Sequence, residues 1–118
     1  MPLTLRSLFG SALLVAATAA SAHAKLQTSE PAAGQAGTAP SMVKLHFNEA
    51  VEPAMSTVKV FGPADAAIEV GKPAGAEGDA KTLVSTLPKL TAGDYRLEWS
   101  TMGHDGHHMK GEFRFTVK

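Results

Sequence analysis

Alternation of apolar and polar residues constrains this chain more than any other feature of its sequence. The clearest runs are residues 43–48, 95–101 and 112–117, which read VKLHFN, YRLEWST and EFRFTV. A period of two residues is typical of β-strands that bury only one face. No long stretch shows helical periodicity, and turn residues recur about every 8–12 residues, as in a sandwich or small barrel. The pattern therefore predicts an all-β fold.

The predicted core is largely aromatic. Six of the seven aromatic residues lie on predicted strands, and we expect them to build the core: Phe47, Phe61, Tyr95, Trp99, Phe113 and Phe115. The apolar residues of run 43–48 point inward, which leaves His46 outward as an exposed strand histidine. Residues 74–80 are small and polar, and we expect a mobile loop there.

The N-terminus resembles a secretory signal peptide. Arg6 precedes an apolar stretch that runs to about Ala20 and is followed by small residues, and this stretch is short for a membrane span. Cleavage after Ala22 would make His23 the first residue, whereas cleavage two residues later would leave Lys25 first. We favour the first site, because it places a histidine at a free amino terminus. Residues 1–22 are then removed, and 23–118 form one domain.

Charge and cysteine content exclude several classes of protein. The chain has 11 Lys and Arg against 11 Asp and Glu, and it shows no basic stripe, which argues against a nucleic-acid partner. It contains no cysteine. A blue-copper electron-transfer centre and a cysteine-based zinc ribbon are therefore excluded. The fold must hold by packing, or with help from a bound metal.

A histidine-rich stretch, residues 102–111 (MGHDGHHMKG), lies between the last two alternating runs and is expected to join neighbouring antiparallel strands. Imidazole nitrogen and carboxylate oxygen are ligands of borderline divalent metals. Asp105 and His107 are two residues apart, so an extended backbone projects both to one side. The same alternation puts His104, Gly106 and His108 together on the opposite side, and spacing alone leaves both phases open.

An N-terminal histidine could complete such a site. The α-amine and the imidazole Nδ1 of His23 can close a chelate ring on one ion and supply two nitrogens. One imidazole and one carboxylate from the loop would make an approximately square set of three nitrogens and one oxygen. That geometry suits Cu(II), which also stands highest in the divalent affinity order.

These residues resemble the periplasmic copper-binding proteins of the CopC type. The likeness covers nearly all of residues 23–118, and the combination of an N-terminal histidine with an Asp-x-His element is its most specific part. The matching segments are HAKL at 23–26, SEPA at 29–32, LHFNE at 45–49, LTAGDY at 90–95, Trp99, DGH at 105–107 and GEFRFTV at 111–117.

The resemblance implies a small Greek-key β-sandwich or barrel, cupredoxin-like or immunoglobulin-like, that binds one Cu(II) per chain through His23, Asp105 and His107. Glu49 matches a family position near the metal, where it would support the ligands or bind the ion weakly itself. The resemblance also favours cleavage before His23. It implies a monomeric periplasmic protein, not an enzyme, that sequesters or transports copper or confers resistance to it, with an inner-membrane copper transport protein as a candidate partner.

Two departures from the family pattern bear on Cu(I). Some members carry a methionine-rich loop, but residues 55–70 here contain only Met55, which argues against a Cu(I) site of that kind. The histidine loop, in turn, has extra residues that are candidates for a weaker or Cu(I) contact: Met102, His104, His108 and Met109.

Other functions stay open at this point. A copper-dependent oxidative enzyme could use the same N-terminal histidine chelate. A β-sandwich interaction module without metal would explain the loop as solvated, and histidine with aspartate could also hold zinc.

Overall fold

The structure is a computed structural model that describes residues 25–118. The predicted signal segment and His23 lie outside the described residues. Nine strands are present in this range: β1 (Leu26–Glu30), β2 (Ala36–Gly37), β3 (Met42–Phe47), β4 (Thr57–Phe61), β5 (Ala67–Ile68), β6 (Ala74–Ala76), β7 (Asp79–Thr86), β8 (Gly93–Met102) and β9 (His108–Val117). Two short 3₁₀ turns, Pro53–Met55 and Pro63–Asp65, flank β4.

The strands form two sheets that pack face to face. One sheet has the order β1-β3-β7-β6, and the other has the order β2-β9-β8-β4-β5. All neighbouring strands are antiparallel except β2, which pairs in parallel with β9. The chain crosses repeatedly from one sheet to the other. The predicted all-β class is confirmed, and its form is the sandwich. Residues 25–118 contain no helix long and apolar enough to cross a membrane.

The core lies between the inner faces of the two sheets. In β3 the residues Val43, Leu45 and Phe47 are fully buried, as the alternation predicts. Phe47 meets Trp99 edge to face with ring centroids 5.1 Å apart, which joins the two sheets. Phe115 is also buried and stacks on the buried Tyr95, at 5.4 Å. Phe113 is partly buried and packs against this cluster.

The prediction that Phe61 belongs to the core is wrong. Val60 of the same strand is buried, so the next residue points to the outer face of the sheet. There the Arg96 guanidinium lies 4.6 Å from the centre of the Phe61 ring. Phe61 therefore makes a cation–π contact on the sheet surface and is not a core residue.

The expectation of a mobile loop at residues 74–80 is also corrected. Strand β6 occupies the first half of this segment and pairs antiparallel with β7, which begins at Asp79. Gly78 has a φ of 75°, a left-handed conformation that suits the tight connection between the two strands. The segment is thus a hairpin at the edge of the first sheet.

Candidate metal centre

The histidine loop is the connection of the β8–β9 hairpin and is shorter than the sequence suggests. Ladder pairing runs to the pair Met102 and His108, which leaves only residues 103–107 outside the strands. The N–H of Gly106 donates to the carbonyl of Gly103 at 3.0 Å, and the N–H of Gly103 donates to the carbonyl of His107 at 3.1 Å. Gly106 has a φ of 83°, which favours glycine. These bonds give the loop a defined shape.

Asp105 and His107 converge within this loop. One carboxylate oxygen, Oδ1, accepts the backbone N–H of His107 at 3.1 Å, and the other, Oδ2, lies 2.9 Å from the imidazole Nδ1. Their side chains are 34% and 59% exposed, so an ion from solvent can reach both. The structure therefore brings together the aspartate and the histidine of the Asp-x-His element.

Glu49 approaches the same loop from the connection between β3 and β4. Its Oε1 is buried and has no hydrogen-bond partner among the described residues. A Cβ on Gly103 would lie 2.8 Å from this oxygen and 3.0 Å from Oδ1 of Asp105. Both carboxylate oxygens therefore flank one glycine, and a side chain at position 103 would collide with them.

A buried carboxylate oxygen without a partner is costly, and a bound cation would satisfy it. The donor types near Gly103 are carboxylate oxygen from Glu49 and Asp105 and imidazole nitrogen from His107. These donors fit a borderline divalent ion such as Cu(II) or Zn(II). The residues present are thus compatible with the metal that the sequence suggests.

His104 contacts a third carboxylate, that of Glu52. Its Nε2 lies 3.1 Å from Oε1 of Glu52, and both side chains are largely exposed. The N–H of Glu52 donates to the carbonyl of Met102 at 2.9 Å, and Val51 forms a β-bridge with Gly103. These contacts fasten the β3–β4 connection to the hairpin. Glu52 and its role were not apparent from the sequence, because its pairing depends on this non-local packing.

The other extra residues of the loop stand on opposite faces of the hairpin. His108 begins β9 and is exposed on the outer face, where it pairs with Met102. Met109 points inward and packs against the core cluster.

The remaining candidate ligand, His23, lies outside the described residues. Within residues 25–118 there is no group of three or more His, Cys, Asp or Glu side chains positioned to hold a metal ion, so Glu49, Asp105 and His107 do not form a complete site by themselves. His46 belongs to a separate cluster on the outer face of the first sheet, where its Nδ1 contacts the Thr82 hydroxyl at 2.7 Å.

The protein is thus a small β-sandwich that brings one carboxylate and one imidazole together at the tip of a hairpin. Residues 26–118 match the sequence profile of the CopC domain. The chain therefore belongs to the CopC family of copper resistance and copper transport proteins, and the resemblance read from the sequence is confirmed.

Individual relatives agree with this assignment. The chain is 37% identical to copper resistance protein C of Pseudomonas syringae pv. tomato over 118 residues, which cover 95% of this chain and 93% of that protein. The crystal structure of CopC from Methylosinus trichosporium OB3b matches with a TM-score of 0.76 and 28% identity, covering 81% of this chain and 94% of the other. PcoC, a methionine-rich copper resistance protein from Escherichia coli, matches with a TM-score of 0.73 and 32% identity, covering 82% and 100%.

Proposed function

We propose that this protein is a periplasmic Cu(II) carrier that holds one Cu(II) per chain between its N-terminus and the β8–β9 hairpin. The ligands are the amine and imidazole of His23, the Asp105 carboxylate and the His107 imidazole. Glu49 supports these ligands from beside the ion or binds it weakly itself. Removal of residues 1–22 generates the free amine of His23. The protein works as a monomer in copper sequestration, transport or resistance. An inner-membrane copper transport protein is its candidate partner.

The observation that carries this proposal is the anchoring of Lys25. Its N–H donates to Oδ1 of Asn48 at 2.6 Å, and its carbonyl accepts the N–H of Asn48 at 3.0 Å. Asn48 immediately precedes Glu49, whose carboxylate flanks Gly103 together with Asp105. The first described residue is thus fixed beside the strand end that leads into the candidate metal centre.

Chain geometry makes His23 a reachable ligand from this anchor. Two residues of extended chain span at most about 7 Å, so a terminus two residues before Lys25 stays close to the Asn48 and Glu49 end of the sandwich. An N-terminal histidine contributes two nitrogens, and Asp105 and His107 contribute an oxygen and a third nitrogen. Such a set selects Cu(II) over most other divalent ions.

The ligand set also suits a carrier better than an enzyme. Four donors from the protein would occupy the square plane of Cu(II) and leave little room for a substrate. Two of the three relatives reported above are named copper resistance proteins, and none of the three carries the name of an enzyme. Peroxide production with ascorbate at the level of free copper is the expected result for the purified protein, and a rate well above that level would favour the enzymatic alternative.

The test compares the protein that starts at His23 with a variant that has one glycine added before it. We expect the added residue to weaken Cu(II) binding at least tenfold in a titration against a chelating competitor, because an N-terminal amine and its own imidazole can no longer share the ion. A glycine added after Lys118 is the matched control and should change nothing. Equal affinity of all three proteins would contradict the proposal.

A second measurement addresses the ligands in the loop. Asp105→Ala and His107→Ala should each change the electron paramagnetic resonance spectrum of the protein with one equivalent of Cu(II). His46→Ala should leave that spectrum unchanged, since His46 lies in a different cluster. The reverse pattern would mean that the ligands are wrongly assigned.

A further inference from the structure

A second group of side chains with metal-ligand chemistry lies on the outer face of the first sheet. His46 stands on β3, with Thr28 of β1 opposite it on one side and Thr82 of β7 on the other. Because both neighbours are short, the half-exposed imidazole borders an open groove of about 290 Å³. The residues that line this groove include Thr28, Glu30, Lys44, His46, Asp79 and Thr82.

Counting protons identifies which ring nitrogen of His46 carries its hydrogen. The Thr82 hydroxyl donates its single hydrogen to Oδ2 of Asp79 at 2.6 Å. The same hydroxyl oxygen lies 2.7 Å from Nδ1 of His46, so it must accept there and Nδ1 must be the donor. In the neutral ring Nε2 is then the nitrogen with the lone pair.

The charge on Asp79 supports this direction of the hydrogen bonds. The hydroxyl of Thr82, then the backbone N–H of Lys81 and the nearby His46 and Lys81, lower the pKa of Asp79 below its ordinary value. An ionised carboxylate can only accept, so the hydroxyl between it and the imidazole cannot point the other way. The chain of carboxylate, hydroxyl and imidazole fixes both the tautomer and the orientation of the ring.

This arrangement is the one that metal-ligating histidines use. Such a histidine donates its second ring N–H to an oxygen partner, which orients the ring and raises the basicity of the ligating nitrogen. A carboxylate stands within reach of the same groove, because Glu30 pairs with Lys44 and is therefore a diagonal neighbour of His46. Lys44 adds a positive charge beside this pair and limits the affinity for a cation.

We infer that Nε2 of His46 and the carboxylate of Glu30 form a second, weaker site for a borderline divalent ion, Cu(II) or Zn(II). The site is separate from the hairpin centre, since its partners stand on strands of the first sheet, whereas Asp105 and His107 lie in the loop between β8 and β9 of the second. With two protein ligands, water completes the coordination, and the ion exchanges readily. The protein then carries one firmly held ion and one exchangeable ion.

The test follows each histidine separately. Protein labelled with ¹⁵N in its imidazole rings is titrated with Zn(II), a diamagnetic probe, and the ring nitrogen shifts are recorded. We expect Nε2 of His46 to shift on its own binding curve, about tenfold tighter than that of His108, an exposed strand histidine without the supporting chain. A curve for His46 no tighter than that of His108, or a shift at Nδ1, would overturn the inference.

Two variants separate a built site from a lone surface histidine. Thr82→Val removes the hydroxyl that links Asp79 to His46 and leaves the imidazole in place. We expect it to weaken Zn(II) binding at His46 about tenfold. Glu30→Gln should weaken the same curve, whereas Glu112→Gln on the outer face of the other sheet should not. If neither Thr82→Val nor Glu30→Gln moves the curve, the site is adventitious. Cu(II) binding at the hairpin is measured independently, so either conclusion can fail alone.

Discussion

Gly103 lies where the β8–β9 hairpin meets Glu49, and its missing side chain is what allows two carboxylates to approach one point. A Cβ there would stand 2.8 Å from Oε1 of Glu49, inside any normal contact distance. We therefore expect Gly103→Ala to displace Glu49 or Asp105 and to weaken Cu(II) binding about tenfold. Gly37→Ala is the control, because a Cβ at that position meets only Gln35 at 3.6 Å. Unchanged affinity in a chelator competition would mean that this approach has no part in metal binding.

Asp79 is a residue whose titration the structure links to stability. Its pKa is lowered by the Thr82 hydroxyl first and by the backbone N–H of Lys81 second. A carboxyl group whose pKa is lower in the folded state than in the unfolded state stabilises the native state at pH values above its unfolded-state pKa, about 3.9. This contribution disappears as the pH falls through the folded-state pKa. Asp79→Asn should therefore lower the urea midpoint at pH 7, and the difference from wild type should vanish near pH 2.

The matched control for Asp79 is Glu77→Gln, which removes an exposed acid from the same hairpin connection. Its urea midpoint should follow that of wild type at both pH values. A difference between Asp79→Asn and wild type that persists unchanged at pH 2 would show that the effect is not one of ionisation.

At the scale of elements, the sequence predicted well what depends on local alternation. The faces of β3, β8 and β9 follow from their period of two, because an antiparallel strand covered on one side must bury every second residue. The error at Phe61 arose because an aromatic residue was assigned to the core against the phase that Val58 and Val60 set. Strand β6 could not be predicted, since Ala-Gly-Ala carries no alternation and is ordered only by its pairing with β7.

The candidate site shows the same division between local and non-local information. The convergence of Asp105 and His107 involves two residues of one short loop; their spacing allowed it, and the family resemblance chose it over the alternative phase. The approach of Glu49 to Gly103 and the pairing of Glu52 with His104 depend on how the β3–β4 connection packs against the hairpin. No pattern within either segment records that packing.

A buried chain of hydroxyl groups fastens this connection to β8. Thr101 is fully buried, and its hydroxyl lies 2.7 Å from that of Ser56, which donates to the carbonyl of Glu52 at 2.6 Å. The Ser56 hydroxyl has only one hydrogen, which it donates to Glu52, so the Thr101 hydroxyl is the donor between the two hydroxyls. We expect Thr101→Val to destabilise the fold by about 1 kcal/mol, the usual net value of one such bond.

The control for Thr101 is the same substitution at Thr57, whose hydroxyl bonds to that of Ser100 at 2.6 Å on the exposed face. Thr57→Val should leave the urea midpoint close to wild type, because water replaces the lost partner. Equal destabilisation by the two variants would show that burial of the Thr101–Ser56 hydrogen bond does not add to its contribution to stability.

For the whole molecule, the absence of cysteine leaves packing and metal binding as the means of stabilising a small sandwich. An ion shared by His23 and the β8–β9 hairpin would hold the N-terminal strand of one sheet against the central hairpin of the other. Binding to the folded state alone stabilises it by about 2.7 kcal/mol when free ligand exceeds Kd a hundredfold. In a domain of this size we expect Tm to rise by roughly 10–20 °C.

Calorimetry of the protein that starts at His23, with and without Cu(II), measures this rise directly. The variant with a glycine before His23 and the variant Asp105→Ala should have ordinary Tm values without copper and much smaller rises with it. Because each variant disables a different end of the shared site, both must lose the effect if one ion connects the two sheets. A full rise in either variant would place the stabilising ion elsewhere on the sandwich.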